Sequence, residues 1–137
     1  MSGPATERSG GCLCGAVRYR IRGEQRDVVV CHCSRCRRAH GHVGAYTEVA
    51  SEDLVLLTEH TLRWYLADGR ERGFCQACGG ILFWRAVGAD RTSVTAGTLD
   101  EPTGLRTTAH IFVASKGDYY EITDGLPSFS AGLDRDT

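Results

Sequence analysis

What this 137-residue sequence lacks narrows its function before any motif is considered. It has almost no net charge, −1 at pH 7, so nothing general draws it to nucleic acid or to an anionic membrane. No apolar run approaches the ~18 residues of a membrane-spanning helix. The opening stretch MSGPATERSGG has no apolar segment of the secretory kind, and the expected setting is the reducing cytoplasm. Repeats, low-complexity tracts and linkers are missing as well. What remains, 42% hydrophobic and 24% charged residues, is the composition of an ordinary globular protein. A chain of this length can bury about 70% of its unfolded surface in one core. One domain over residues 1–137 is therefore expected, with its core from about residue 10 to 129 and frayed ends.

Seven cysteines stand out against that background, and their odd number cannot pair completely. They fall into three clusters, Cys12-Leu-Cys14, Cys31-His-Cys33-Ser-Arg-Cys36 and Cys75-Gln-Ala-Cys78, with none outside. Cysteines used only for packing would be scattered singly through strands. Clusters instead make sulfurs converge, as a tetrahedral thiolate site for zinc requires. Two closed sites need about eight ligands, one more than the seven sulfurs present. The natural division is a closed structural site of Cys12, Cys14, Cys75 and Cys78, and an open catalytic one of Cys31, Cys33 and Cys36. Other readings stand beside it. Neither CxxC is followed by histidine, which excludes a c-type haem, and no βαβ context supports a thioredoxin-like motif. Four thiolates also suit iron, although zinc is preferred in a chain with no other electron-transfer feature. Both sites could be structural, with His32, His40 or His42 as the eighth ligand.

The rest of the pattern reads as short strands separated by turn signals, hence a mainly β fold. Strands are expected at 16–21, 28–30, 43–49, 54–57, 62–66, 81–85, 93–96, 110–114 and 119–122, and one short helix at 33–39. Trp64, Tyr65, Phe83 and Trp84 read as core, and His110 as a satisfied histidine in an apolar strand. Gly79-Gly80 permits a turn with positive φ that aims backbone N–H groups at the third cluster's sulfurs. The aperiodic segment from Leu126 wraps the surface or frays.

Three segments together resemble the glutathione-dependent formaldehyde-activating enzyme family, whose zinc proteins include centromere protein V-like members. They are Gly11-Cys-Leu-Cys-Gly-Ala-Val-Arg-Tyr19, Cys31-His-Cys-Ser-Arg-Cys-Arg-Arg38 and Phe74-Cys-Gln-Ala-Cys-Gly79. Ala96-Gly-Thr-Leu-Asp100, Ala109-His-Ile111 and Leu126-Pro-Ser-Phe129 are similar to its later landmarks. The resemblance implies a β-tent, small antiparallel sheets around a structural zinc, as in a zinc-binding protein that acts on Rab GTPases. It implies the same division of ligands, and so two zinc ions. The implied activity is a carbon–sulfur lyase of the S-(hydroxymethyl)glutathione synthase type, with glutathione as thiol and formaldehyde or a related small aldehyde. The chain departs from many members at Lys116-Gly-Asp-Tyr-Tyr120, where they carry tryptophan after the lysine.

Three thiolates make zinc a weak Lewis acid toward water but a good host for a fourth, soft ligand such as an incoming thiol. A thiolate so formed adds to an aldehyde, and the reverse reaction cleaves a carbon–sulfur bond. Arg35, Arg37 and Arg38 around Cys36 are candidates for the carboxylates of a peptide-like thiol, or a solvated helix face. His32, His40 and His42 are candidates for moving protons, or for structural hydrogen bonds. The alternative function is a non-catalytic zinc module that binds or carries a thiol or a protein partner.

Overall fold

The computed structural model describes residues 7–133. In chain order the strands are β1 Arg8–Gly11, β2 Arg18–Ile21, β3 Val28–Cys31, β4 Gly44–Ala50, β5 Leu54–Thr58, β6 Leu62–Ala67, β7 Arg70–Cys75, β8 Ile81–Ala86, β9 Arg91–Thr95 and β10 Thr107–Ile111. One helix, α1 Ser34–His40, stands between β3 and β4. The fold is mainly β, of largely antiparallel sheets, with α1 the one α-helix among the described residues. Its residues gather into two compact units, each made of two stretches of sequence. The first takes the chain up to Arg26 and Thr47–Gly104; the second takes Asp27–Tyr46 and the chain from Leu105. Among the described residues no helix is long and apolar enough to cross a membrane.

In the first unit β1, β2 and β5 form a three-stranded antiparallel sheet, while β6 to β9 run as an antiparallel meander. The β6–β7 hairpin turns through Asp68 and Gly69, both with positive φ, as a tight hairpin whose twist matches its strands demands. Tyr19, Ile21, Leu82, Phe83 and Val94 fill the core. The Tyr19 ring meets Phe83 edge-on at 5.3 Å, and its hydroxyl is hydrogen-bonded to Thr98 Oγ1 at 2.7 Å. That bond requires Gly10, because a Cβ there would collide with the Tyr19 hydroxyl and the Thr98 carbonyl oxygen. Gly10→Ala is expected to cost about 3 kcal/mol through overpacking against a fixed backbone. A urea unfolding curve with a lowered midpoint and unchanged slope checks it.

Not all of the expected aromatic core is core. Phe83 is fully buried, Trp64 and Trp84 are half-buried, and Tyr65 is exposed. The period of two along β6 explains the split: Leu62 and Trp64 share one face, which sends Tyr65 with Arg63 to the other. Arg85 covers the Trp64 ring at 3.8 Å while pairing with Glu71 at 2.9 Å.

In the second unit β3 lies antiparallel to the start of β4, with Cys31 opposite Gly44. On its other side β3 lies parallel to β10, with Cys31 opposite Ile111. Residues 127–131 run beside β10: the His110 N–H donates to the Pro127 carbonyl, the Phe129 N–H to His110, and the Phe112 N–H to Ala131, each at 2.9 Å. The strand expected at 110–114 starts at Thr107 and ends at Ile111, because Phe112 adopts φ 56° and breaks it. The strand expected at 119–122 is absent. There the Lys116 ammonium donates to the carbonyls of Gly117 (3.1 Å) and Tyr120 (2.5 Å), which curls the segment around one cation.

Candidate metal centres

Two groups of sulfurs converge. In the first unit Cys12, Cys14, Cys75 and Cys78 have Sγ atoms all within 4.8 Å of one another. The Cys12–Cys14 separation is 3.7 Å and the Cys14–Cys75 separation 3.8 Å. Sulfurs about 2.3 Å from a tetrahedral zinc stand about 3.8 Å apart, so the spacing suits that ion. The four sulfurs come from two turns. Cys12 follows β1, and the Val17 N–H donates to its sulfur at 3.3 Å. Cys75 closes β7, and the Gly79 N–H donates back to the Cys75 carbonyl at 2.7 Å. Gly79 makes this turn possible with φ 78°.

Donors surround these sulfurs. The Thr61 hydroxyl, 3.2 Å away, is the main reason that the Cys75 thiol falls to about 6, helped by the N–H groups of Cys78 and Ala77. The Gly80 and Cys14 N–H groups lower Cys78. For Cys14 the Ala16 N–H works downward, but lost solvation and the Cys12, Cys75 and Cys78 sulfurs outweigh it and push the thiol up to about 11. Neighbouring thiols that move apart in this way cannot all ionise by themselves. A divalent cation among them removes that conflict.

In the second unit Cys31, Cys33 and Cys36 form a separate group with the same 4.8 Å limit. Cys31 ends β3. Cys33 is the N-cap of α1, its Sγ accepting the Cys36 N–H at 3.3 Å, and Cys36 lies buried in the first turn. A helix start favours negative charge on these sulfurs. Bonding from Cys31 and Cys36 holds the Cys33 thiol down, to about 2, while Cys33, Cys36 and burial push the Cys31 thiol up. As at the first centre, neighbouring thiols move in opposite directions. No imidazole or carboxylate of the described residues joins the group. The three candidate histidines are engaged elsewhere: His40 Nε2 with Tyr46 Oη at 2.6 Å, His42 Nδ1 with Tyr119 Oη at 2.7 Å, and His32 with Tyr120 and His110. Among the described residues no cysteine is in a disulfide.

A model of the glutathione-dependent formaldehyde-activating enzyme family matches residues 7–115. The chain belongs to this enzyme family. Among solved structures it is similar to a crystal structure of a Rhodobacter sphaeroides protein, at 23% identity and a TM-score of 0.58. That likeness covers 73% of this chain and 99% of the other, and concerns the fold. No curated protein matches it.

In this family member the three arginines are not equivalent. Arg35 and Arg38 are exposed. Arg37 is half-buried, and its Nε is buried without a hydrogen-bond partner among the described residues. Sequence reasoning missed a second feature, a polar row that starts from His32, the residue between Cys31 and Cys33. His32, buried between Cys31 and Cys33 in the sequence, has Nδ1 2.5 Å from the Tyr120 hydroxyl and Nε2 2.8 Å from His110 Nδ1. His110 Nε2 in turn stands 2.8 Å from Asp124 Oδ2. His110 is buried and satisfied, but by ionisable partners in place of the expected apolar surroundings. The available signals were Asp124-Gly125, a turn marker, and the Tyr119-Tyr120 pair.

Proposed function

We propose that the chain is a zinc-dependent carbon–sulfur lyase or synthase acting on a thiol–aldehyde adduct, with glutathione as thiol and formaldehyde or a related small aldehyde as partner. The observation that carries this is the three-cysteine group without a fourth protein ligand among the described residues. Cys31, Cys33 and Cys36 would hold a catalytic zinc, and Cys12, Cys14, Cys75 and Cys78 a structural one. Zinc in a three-thiolate site leaves one position to a soft ligand and lowers the pKa of a thiol there. The residues of this chain supply the setting. The first turn of α1 stabilises the sulfur charge, and Arg37 offers the buried, unpartnered donor that a carboxylate of the thiol can take. A single domain in the cytoplasm, where the seven thiols stay reduced, completes the proposal.

NMR exchange spectroscopy of glutathione with formaldehyde tests the activity: the zinc-loaded protein is expected to accelerate exchange over buffer. A rate equal to buffer supports the non-catalytic thiol-binding module instead. Arg37→Gln is expected to raise KM for glutathione about 10-fold or more with kcat unchanged, the scale of a lost hydrogen bond to a charged group. Equal kinetics in the variant would remove Arg37 from the thiol site.

A further inference from the structure

The four sulfurs of the first centre are not equally protected. Cys75 is fully buried and Cys12 nearly so, Cys78 is half-buried, and Cys14 is exposed. The turn that carries Cys14 accounts for the difference. The Gly15 N–H donates to the Cys12 carbonyl at 3.1 Å, which closes a tight turn with Leu13 and Cys14 at its tip. Leu13 is 89% exposed, and a Cβ on Gly15 would meet nothing within 4 Å. An oxidant arriving from solvent therefore reaches Cys14 before the other three. Where these sulfurs hold a metal they are thiolates, the form that peroxide oxidises.

Cys14 also has a partner at hand. Cys75 Sγ stands 3.8 Å away on the other turn, and the Thr61 hydroxyl, 3.2 Å from it, stabilises negative charge there. Cys12 Sγ is as close to Cys14, at 3.7 Å, but a bridge between residues two apart closes a small, strained ring. A neighbouring thiolate reopens such a bridge by exchange.

We propose that Cys14 is an oxidation site for peroxide and that Cys75 resolves it into a disulfide between the two turns. In the first step the Cys14 thiolate attacks peroxide: an S–O bond forms, the O–O bond breaks, and the sulfur gives up two electrons. The hydroxide released takes a proton and becomes water. In the second step the Cys75 thiolate attacks the sulfenic sulfur: the S–S bond forms, the S–O bond breaks, and the hydroxide again leaves as water. Two of the four sulfurs are then withdrawn from the metal, which is released. The turns stay joined across the same 61 positions, by a covalent bond in place of an ion. A dithiol with added zinc reverses the change. None of this depends on the chemistry of the three-cysteine centre.

The test uses the zinc-loaded wild-type chain and substoichiometric hydrogen peroxide. With a dimedone probe present, peptide mass spectrometry is expected to find sulfenic acid on Cys14 about tenfold or more over Cys12, Cys75 and Cys78. Prior labelling of another of the four, or oxidation confined to Cys31, Cys33 and Cys36, would overturn Cys14 as the site. Without the probe, fragmentation of the linked peptides is expected to show the Cys14–Cys75 bridge, with one equivalent of zinc freed to a chromogenic chelator for each bridge formed. A bridge from Cys12 to Cys14, or from Cys75 to Cys78, would overturn Cys75 as the partner. The oxidised protein, freed of zinc, is expected to keep a cooperative thermal transition of its first unit by circular dichroism. Loss of that transition would overturn the exchange of one tie for the other.

Discussion

Cys75→Ser is expected to abolish the cooperative unfolding transition of the first unit at 25 °C. Cys75 is fully buried at the end of β7, and its sulfur stands 3.8 Å from that of Cys14, 61 positions away in sequence. A structural zinc site contributes about 10–16 kcal/mol of apparent binding free energy. A domain of ordinary stability has only about 5–15 kcal/mol in all, so loss of the site removes as much as there is to lose. Chelating the metal from the wild type is expected to act in the same way, with recovery on adding zinc back. Far-UV circular dichroism against temperature, with and without chelator, is the measurement. A transition within a few degrees of the wild type in Cys75→Ser would show that packing of Tyr19, Leu82 and Phe83 holds the unit without the metal.

The second large effect is expected at Cys33, with the opposite signature. Serine caps helices at least as well as cysteine, so Cys33→Ser keeps an acceptor for the Cys36 N–H and leaves α1 in place. It removes one of the three soft ligands proposed for the second metal. Disturbing the hydrogen-bond partner of a metal ligand already costs about 10–100-fold, and losing the ligand itself is expected to cost at least 100-fold in exchange rate. The melting temperature is expected to stay near the wild-type value. X-ray absorption gives a test apart from activity: added thiol is expected to raise the sulfur count at the second metal of the wild type from three to four. A nitrogen neighbour that thiol cannot displace would show that a histidine closes the centre.

The metal-binding potential of this chain was legible because chelation is local. Cys31, Cys33 and Cys36 lie within six residues, and two short turns deliver the other four, so spacing alone indicates convergence. Strand content was legible wherever one face is apolar, as in Arg18–Ile21 or Ile81–Ala86. β1 and β7 were missed for the same reason: Arg8-Ser-Gly-Gly11 and Arg70-Glu-Arg-Gly-Phe-Cys75 show glycine and charge where a strand signal would be apolar. They belong to their two sheets because their backbones pair, with Gly73 packed where Trp64 and Phe83 leave little room. Least legible was the polar row at the second centre. Its contacts span 78 and 88 positions, and nothing in a local pattern says which histidine will face which tyrosine.

The parallel pairing of β3 with β10 has a consequence for how the protein is made. A ribosome releases Cys31, Cys33 and Cys36 early, then the whole stretch that carries Cys75 and Cys78, and only afterwards the strand that covers β3. The four-sulfur set can take its ion while translation continues. His110, Tyr120 and Asp124, which continue the polar row from His32, follow Cys75 and Cys78 in the sequence. A growing chain thus has all four sulfurs of the first centre before β10 is made, and a chain that stops short of β10 keeps β3 paired with β4 alone.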